Sequence, residues 1–299
     1  MHGVWTALIT PFDRSNQIDF DAYKKILNDQ KQAGISGVIP CGTTGEAPCL
    51  TLEEKKALIE TALKELKGSK TQVVAGTGSN DTASTLEFSR WASDQGVKGV
   101  LVVTPYYNKP SQAGLEAHFR AVANEVKCDV ILYNVPGRTG VSLTTETIIK
   151  LTHQPRITAI KEASGNLAFL AEIKDSLSVQ GRSLTILSGD DVYFLPSLAL
   201  GAQGIVSVAS NLFPRAMVSL YQDFQAGELE KAREIHENYY PLFRDLFIES
   251  NPGPIKAAMS YAGWCENRMR LPLVPLSQAH QKKLEESLKH CKIAIGRSS

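Results

Sequence analysis

The residue in this chain best placed to do covalent chemistry is Lys161. It ends the apolar, β-branched run Ile157-Thr158-Ala159-Ile160-Lys161, and Glu162-Ala163-Ser164-Gly165 follows it. A run of this kind reads as a buried strand. With side chains alternating at period two, Ile157, Ala159 and Lys161 share one face, while Thr158, Ile160 and Glu162 share the other. If the first face points into the interior, the amine is partly desolvated. Burial disfavours its charged form, lowers its pKa and frees the lone pair to attack a carbonyl. The expected role is a Schiff-base lysine, against the ordinary fate of a strand-terminal lysine, which is to reach solvent.

Three further groups could serve such an amine. Tyr133 sits on a candidate strand with Ile131 on its face, and its phenol can shuttle protons during imine formation. Taken alone, a strand tyrosine is more simply a packing residue. Arg138, in Pro136-Gly137-Arg138-Thr139-Gly140, carries a fork suited to bidentate capture of a carboxylate, although loop arginines are commonly surface ion pairs. Gly42-Thr43-Thr44-Gly45 offers two hydroxyls and backbone N–H groups on a turn, with no lysine after it, so a carboxylate is a better guest than a nucleotide. The same four residues also suit a plain βα turn. Tyr106 and Tyr107 are adjacent, so in extended chain they point opposite ways, and one is a candidate to cross to a neighbouring subunit.

The elements that must position these groups alternate along the chain. Candidate strands are 4–9, 37–41, 72–75, 99–103, 130–134, 157–161, 184–187 and 204–208. Helical patterning follows each, at 20–33, 52–66, 82–95, 112–125, 145–151, 167–175, 192–200 and 214–226. Eight such units predict an α/β fold, a closed (β/α)8 TIM barrel, since parallel strands need crossovers and closure removes exposed edges. An open doubly wound sheet is the alternative. Gly76-Thr77-Gly78 follows a strand but lacks the third glycine of a dinucleotide fingerprint, and both glycines read as turn residues. In a barrel the active site gathers at the C-terminal ends of the strands, where the unusual polar residues stand, Ser188-Gly189-Asp190-Asp191 among them. From about residue 227 helical patterning alone continues, through 228–248, 254–262 and 277–293. The expected domains are a catalytic barrel, 1–226, and a C-terminal α-helical domain, 227–299.

Composition narrows the function classes. A net charge of +1 and 21% charged residues leave no polybasic face, so nucleic acid and anionic membranes are poor partners. No apolar run reaches the ~20 residues of a membrane span, and no secretory leader pattern opens the chain. The five cysteines are scattered without Cys-x-x-Cys spacing, and the six histidines make no metal-ligand pair. The expectation is a soluble cytoplasmic protein acting on small molecules, with no metal.

Taken in order, Gly42-Thr43-Thr44-Gly45-Glu46, Thr104-Pro105-Tyr106-Tyr107-Asn108, Tyr133 through Gly140, Ile160-Lys161-Glu162, Ser188-Gly189-Asp190-Asp191 and Asn251-Pro252-Gly253-Pro254-Ile255-Lys256 resemble the dihydrodipicolinate synthase family, within the pyruvate-dependent class I aldolases. The resemblance spans nearly the whole chain. It implies a homotetramer, a dimer of dimers, that condenses pyruvate with L-aspartate 4-semialdehyde in lysine and diaminopimelate synthesis, with no external cofactor. By resemblance Lys161 forms the imine and Tyr133 transfers protons, with Thr43 and Tyr107 relaying them and Tyr107 lent by the adjacent subunit. Thr44 matches the binder of the pyruvate carboxylate, Arg138 the residue that holds the semialdehyde carboxylate, and Val206 a position lining the pyruvate pocket.

One departure concerns regulation. Lysine-inhibited members line an interface pocket with histidines and a glutamate. This chain has Leu52 and Lys55 where those histidines would fall and Ser84 in place of the glutamate, while Pro48 lies in the matching stretch and Asn80 and Tyr106 remain. Losing a carboxylate and gaining a cation should repel the ammonium groups of lysine, so feedback inhibition is expected to be weak or absent. Relatives that cleave sialic or 2-keto-3-deoxy sugar acids share the lysine and tyrosine. Arg138 favours a second substrate that carries a carboxylate. A non-catalytic barrel that merely binds 2-oxo acids would need neither an imine-forming amine nor a proton relay.

Overall fold

In the computed structural model, which describes residues 1–291, eight parallel strands close into a barrel in chain order. They are β1 (Gly3–Ala7), β2 (Gly37–Ile39), β3 (Gln72–Gly76), β4 (Gly99–Val103), β5 (Asp129–Asn134), β6 (Ile157–Glu162), β7 (Thr185–Ser188) and β8 (Gly204–Ser207). The helices are α1 (Phe20–Gln32), α2 (Leu52–Glu65), α3 (Thr82–Asp94), α4 (Gln112–Glu125), α5 (Pro136–Thr139), α6 (Thr145–Leu151), α7 (Leu167–Val179), α8 (Phe194–Ala199) and α9 (Pro214–Gln225), followed by α10 (Leu229–Asp245), α11 (Gly253–Tyr261) and α12 (Gln278–His290). The expected (β/α)8 barrel and its helical tail are both present.

Two compact units share the chain, one of residues 1–3 and 72–206, the other of residues 4–71 and those from 207 onward. In the first, β3 to β8 pair in succession, and the strands are buried on both faces. That is why they read as nearly continuous apolar runs rather than alternating ones. In the second, β1 pairs with β2 through Thr6 opposite Val38. Behind β1 lies a buried polar lattice: Thr6 donates to Gln30, Ser210 donates to Thr6, and Asn211 donates to the Ala7 carbonyl while accepting the Ile9 N–H. These bonds satisfy backbone and hydroxyl groups that would otherwise be stranded without water.

Helix starts follow local chemistry. Asp19, Asp81, Ser111, Thr144, Asn166 and Ser277 each accept a backbone N–H at a helix N-terminus, and Thr51 forms a reciprocal capping box with Glu54 on α2. Where sequence and structure differ, the reason is local. The helix expected at 167–175 runs to Val179 because Leu170, Ile173 and Leu177 continue its buried stripe. The one expected at 192–200 is a 3₁₀ turn, Asp191–Tyr193, leading into α8, whose first turn holds Pro196, a residue with no N–H to give. Gly76 is the last residue of β3 rather than a turn residue. Gly78 is required by close approach, since a Cβ there would lie 2.4 Å from the Val103 nitrogen. Of the helix expected at 277–293, residues 292 and 293 lie outside the described residues.

Candidate active site

Along the β5/β6 pair, Tyr133 stands opposite Lys161 and Asn134 opposite Glu162. This register depends on an irregularity: Val130 matches Ile157 but Ile131 matches Ala159, so Thr158 is passed over. Without that skipped residue Tyr133 would neighbour Ile160, and Lys161 would face the other way. Lys161 and Tyr133 are each 6% exposed, and Lys161 Nζ lies 4.2 Å from the centre of the phenol ring. The amine therefore does not take the usual route of a strand-end lysine to solvent.

The residues after these two build the walls. Glu162 is buried and accepts hydrogen bonds from Asn134 Nδ2 at 2.7 Å and from the Ser164 N–H at 2.6 Å. Burial pushes its carboxyl up, and these bonds pull it partly back. Asn134 uses its other end to accept the Leu143 N–H and the Ser142 hydroxyl. One side chain thus ties β6 to both the end of β5 and the far end of the loop that carries Arg138. That loop is braced inside by Thr139, whose hydroxyl donates to Val141 O at 2.8 Å. Arg138 itself is exposed, on α5 directly after β5. Neither Asn134 nor Glu162 carries a role in the sequence argument, and their only signal there is polarity at the end of apolar strands.

On the other side of Lys161, β7 ends in Ser188, and Gly189 gives its N–H to Glu162 O at 2.7 Å. Any side chain at Gly189 would strike the Ala163 methyl, 2.4 Å from the position of a Cβ. Asp190 caps the 3₁₀ turn through the Val192 N–H. Burial raises its carboxyl, while that hydrogen bond and the charge of Lys161 lower it. Val206 is fully buried in β8.

Tyr107 lies in the loop after β4, with φ of +74° and 89% exposure, while Tyr106 is half-buried. The Asn108 N–H reaches back to Tyr106 O at 2.9 Å, forming a tight γ-turn that holds Tyr107 outward at a backbone angle bulky residues avoid.

In the second unit, the Gly42–Glu46 turn follows β2. Glu46 N–H bonds to Thr43 O, Gly45 N–H bonds to Gly42 O, and the Thr10 hydroxyl caps Gly45 O at 2.7 Å. Thr44 is buried, whereas Thr43 is half-buried. Thr44 Oγ1 accepts a hydrogen bond from Asn251 Nδ2 at 2.9 Å. Glu46, with φ of +56°, ends the turn and pairs with Lys256 of α11, both side chains being fully buried.

Of the positions matched to the regulatory pocket, Pro48 is exposed and Lys55 half-buried on α2. In the other unit Asn80 O accepts from Asn108 Nδ2, and Ser84 gives both its N–H and its hydroxyl to Asp81 at 2.7 Å. A carboxylate thus stands beside Ser84, but it is engaged in capping α3. Among the described residues no cluster of His, Cys, Asp and Glu is placed to hold a metal, and no helix is long and apolar enough to cross a membrane.

Comparison with known proteins adds an independent line. The model of the dihydrodipicolinate synthetase family matches residues 1–291. A 4-hydroxy-tetrahydrodipicolinate synthase of Leptospira biflexa is 49% identical over 276 residues, 92% of each chain. The structure of the 4-hydroxy-tetrahydrodipicolinate synthase of Methylacidiphilum fumariolicum superposes with a TM-score of 0.94 at 41% identity, covering 98% of this chain and 96% of that one. That of dihydrodipicolinate synthase from Aquifex aeolicus gives 0.93 at 42%, covering 97% of both chains. With a buried lysine beside a tyrosine at the strand ends of a closed parallel barrel, and these likenesses over nearly its full length, this chain belongs to the dihydrodipicolinate synthetase family.

Proposed function

We propose that this enzyme condenses pyruvate with L-aspartate 4-semialdehyde to give 4-hydroxy-tetrahydrodipicolinate, through an imine on Lys161. The observation that carries the reading is the buried Lys161 amine set over the ring of Tyr133. The Lys161 nitrogen attacks C2 of pyruvate through its lone pair, and the carbonyl oxygen leaves as water carrying two protons from the nitrogen. The imine then acts as an electron sink, so the methyl group gives up a proton to become an enamine. Tyr133 carries the protons in these steps, with Thr43 and Tyr107 relaying them. The enamine carbon attacks the aldehyde of the second substrate, whose own amino group then adds to the imine carbon and displaces the Lys161 nitrogen, closing the ring and freeing the enzyme.

Two carboxylates require two anion sites. Thr44 takes that of pyruvate, Arg138 takes that of the semialdehyde, and Val206 lines the pyruvate pocket. Tyr107, held outward on its γ-turn, reaches an adjacent subunit of a homotetramer. The barrel of residues 1–226 holds the chemistry, the helices from 227 form an appended domain, and the enzyme works in the cytoplasm without an external cofactor.

Borohydride reduction in the presence of pyruvate should add one reduced pyruvyl group per chain, mapped to the Lys161 peptide and abolished by Lys161→Ala. An unmodified chain would remove the imine mechanism. Turnover of N-acetylneuraminate in preference to aspartate semialdehyde would remove the substrate assignment alone.

A further inference from the structure

The turn that carries Thr43 and Thr44 is fastened to the helical tail at two points. Asn251, 5% exposed, donates from Nδ2 to Thr44 Oγ1 at 2.9 Å. Five residues on, Lys256 is fully buried and donates to Glu46 Oε1 and, at 2.6 Å, to Arg268 O. Glu46 Oε2 in turn accepts the Arg270 N–H at 2.9 Å. The turn and the tail segment therefore hold a single relative register.

In that register the Asn251 amide is the donor and the Thr44 hydroxyl oxygen the acceptor. A threonine hydroxyl has one proton to give and two lone pairs to fill. The Asn251 amide fills a lone pair, and among the described residues the proton of Thr44 goes to no partner. A carboxylate ligand is acceptor-only, so what it needs from Thr44 is that proton. An acid at position 251 would do the opposite, taking the proton and turning lone pairs and a like charge towards the ligand. We propose that Asn251 is a positioning residue for the pyruvate carboxylate, making Thr44 a hydrogen-bond donor from the helical tail. The proposal rests on the reading of Thr44 as the carboxylate binder.

The test compares two ketones, pyruvate and acetone, which form the same kind of imine but only one of which carries a carboxylate. Borohydride trapping at Lys161, read by intact mass, gives a half-saturation for each. In Asn251→Ala the value for pyruvate should rise about tenfold, the scale of a lost charge-assisted hydrogen bond, while that for acetone stays unchanged. The isosteric Asn251→Asp should raise it further, again without effect on acetone, and preserves the shape of the site if the alanine variant folds poorly. Because Asn251 acts through Thr44, Thr44→Val combined with Asn251→Ala should be no worse than Thr44→Val alone. An unchanged pyruvate curve, a parallel loss for both ketones, or multiplying effects in the double variant would overturn the proposal and leave the imine mechanism standing. Failure of the unsubstituted chain to trap pyruvate at Lys161 would remove both.

Discussion

Lys256→Met puts the connection between tail and turn to a quantitative test. The Lys256 and Glu46 side chains have no exposure to solvent, and the ammonium also sits 4.2 Å from the centre of the Phe12 ring. Burial pushes the ammonium below its ordinary range, and the Glu46 charge pulls it back. Methionine fills most of the lysine volume but leaves the Glu46 carboxylate out of water with only the Arg270 N–H. Breaking a buried pair on one side costs about 3–5 kcal/mol, because the surviving charge keeps its desolvation penalty and loses its partner. Over a chain of this length that loss should lower the melting temperature by roughly 5–8 °C. Removing both charges at once, in Glu46→Gln/Lys256→Met, should recover most of the loss, since a neutral amide is far less costly to bury than a lone carboxylate. Melting curves by circular dichroism, at equal protein concentration, read both effects. A Lys256→Met melt within about 1 °C of the parent, or a double variant less stable than either single one, would refute the reasoning.

Arg138→Ala should leave borohydride trapping of pyruvate intact and raise KM for the semialdehyde at least tenfold, as loss of a bidentate contact implies; steady-state kinetics with each substrate varied would show a shared loss if the assignment is wrong. Glu54 is held below the usual 4.5 chiefly by its hydrogen bond from Arg270, against the effect of burial. Its folded pKa is thus below its unfolded one, so its stabilisation is full above 4.5 and fades as pH falls through the lower folded value. Melting temperatures of the parent and of Glu54→Gln should therefore differ above that point and converge in acid, and a constant gap at all pH values would contradict the linkage. L-lysine should inhibit weakly or not at all, because position 84 has no carboxylate and the Asp81 carboxylate beside it is committed to Ser84; strong inhibition of initial rates would overturn this.

Much of the fold is legible in the sequence because its signals are local. Alternating apolar runs and helical stripes mark the elements, since each pattern needs only the residues of its own segment. The polar residues after each strand mark the functional end of the barrel for the same reason, as chain direction alone sets it. Asn134 and Glu162 gave no sign beyond their polarity at a strand end, and Asn251 gave none of its contact, because each works through a partner remote in sequence. Asn134 reaches across to Glu162 on the next strand, and Asn251 reaches back to Thr44.

The sequence by itself marked Lys161 as the candidate nucleophile and placed it at the end of a buried strand, where the structure has it. Which residue stands next to it was decided only on folding. The passing over of Thr158 between β5 and β6 places Tyr133 beside Lys161, where an unbroken ladder would have placed it beside Ile160. Period-two alternation gives side-chain faces only along an unbroken strand, and it cannot count an offset between two strands, because that offset is set by how the whole sheet packs. In the same way Glu46 and Lys256 are ordinary charged residues in the sequence, and become a buried pair only because the tail helix closes over the turn after β2.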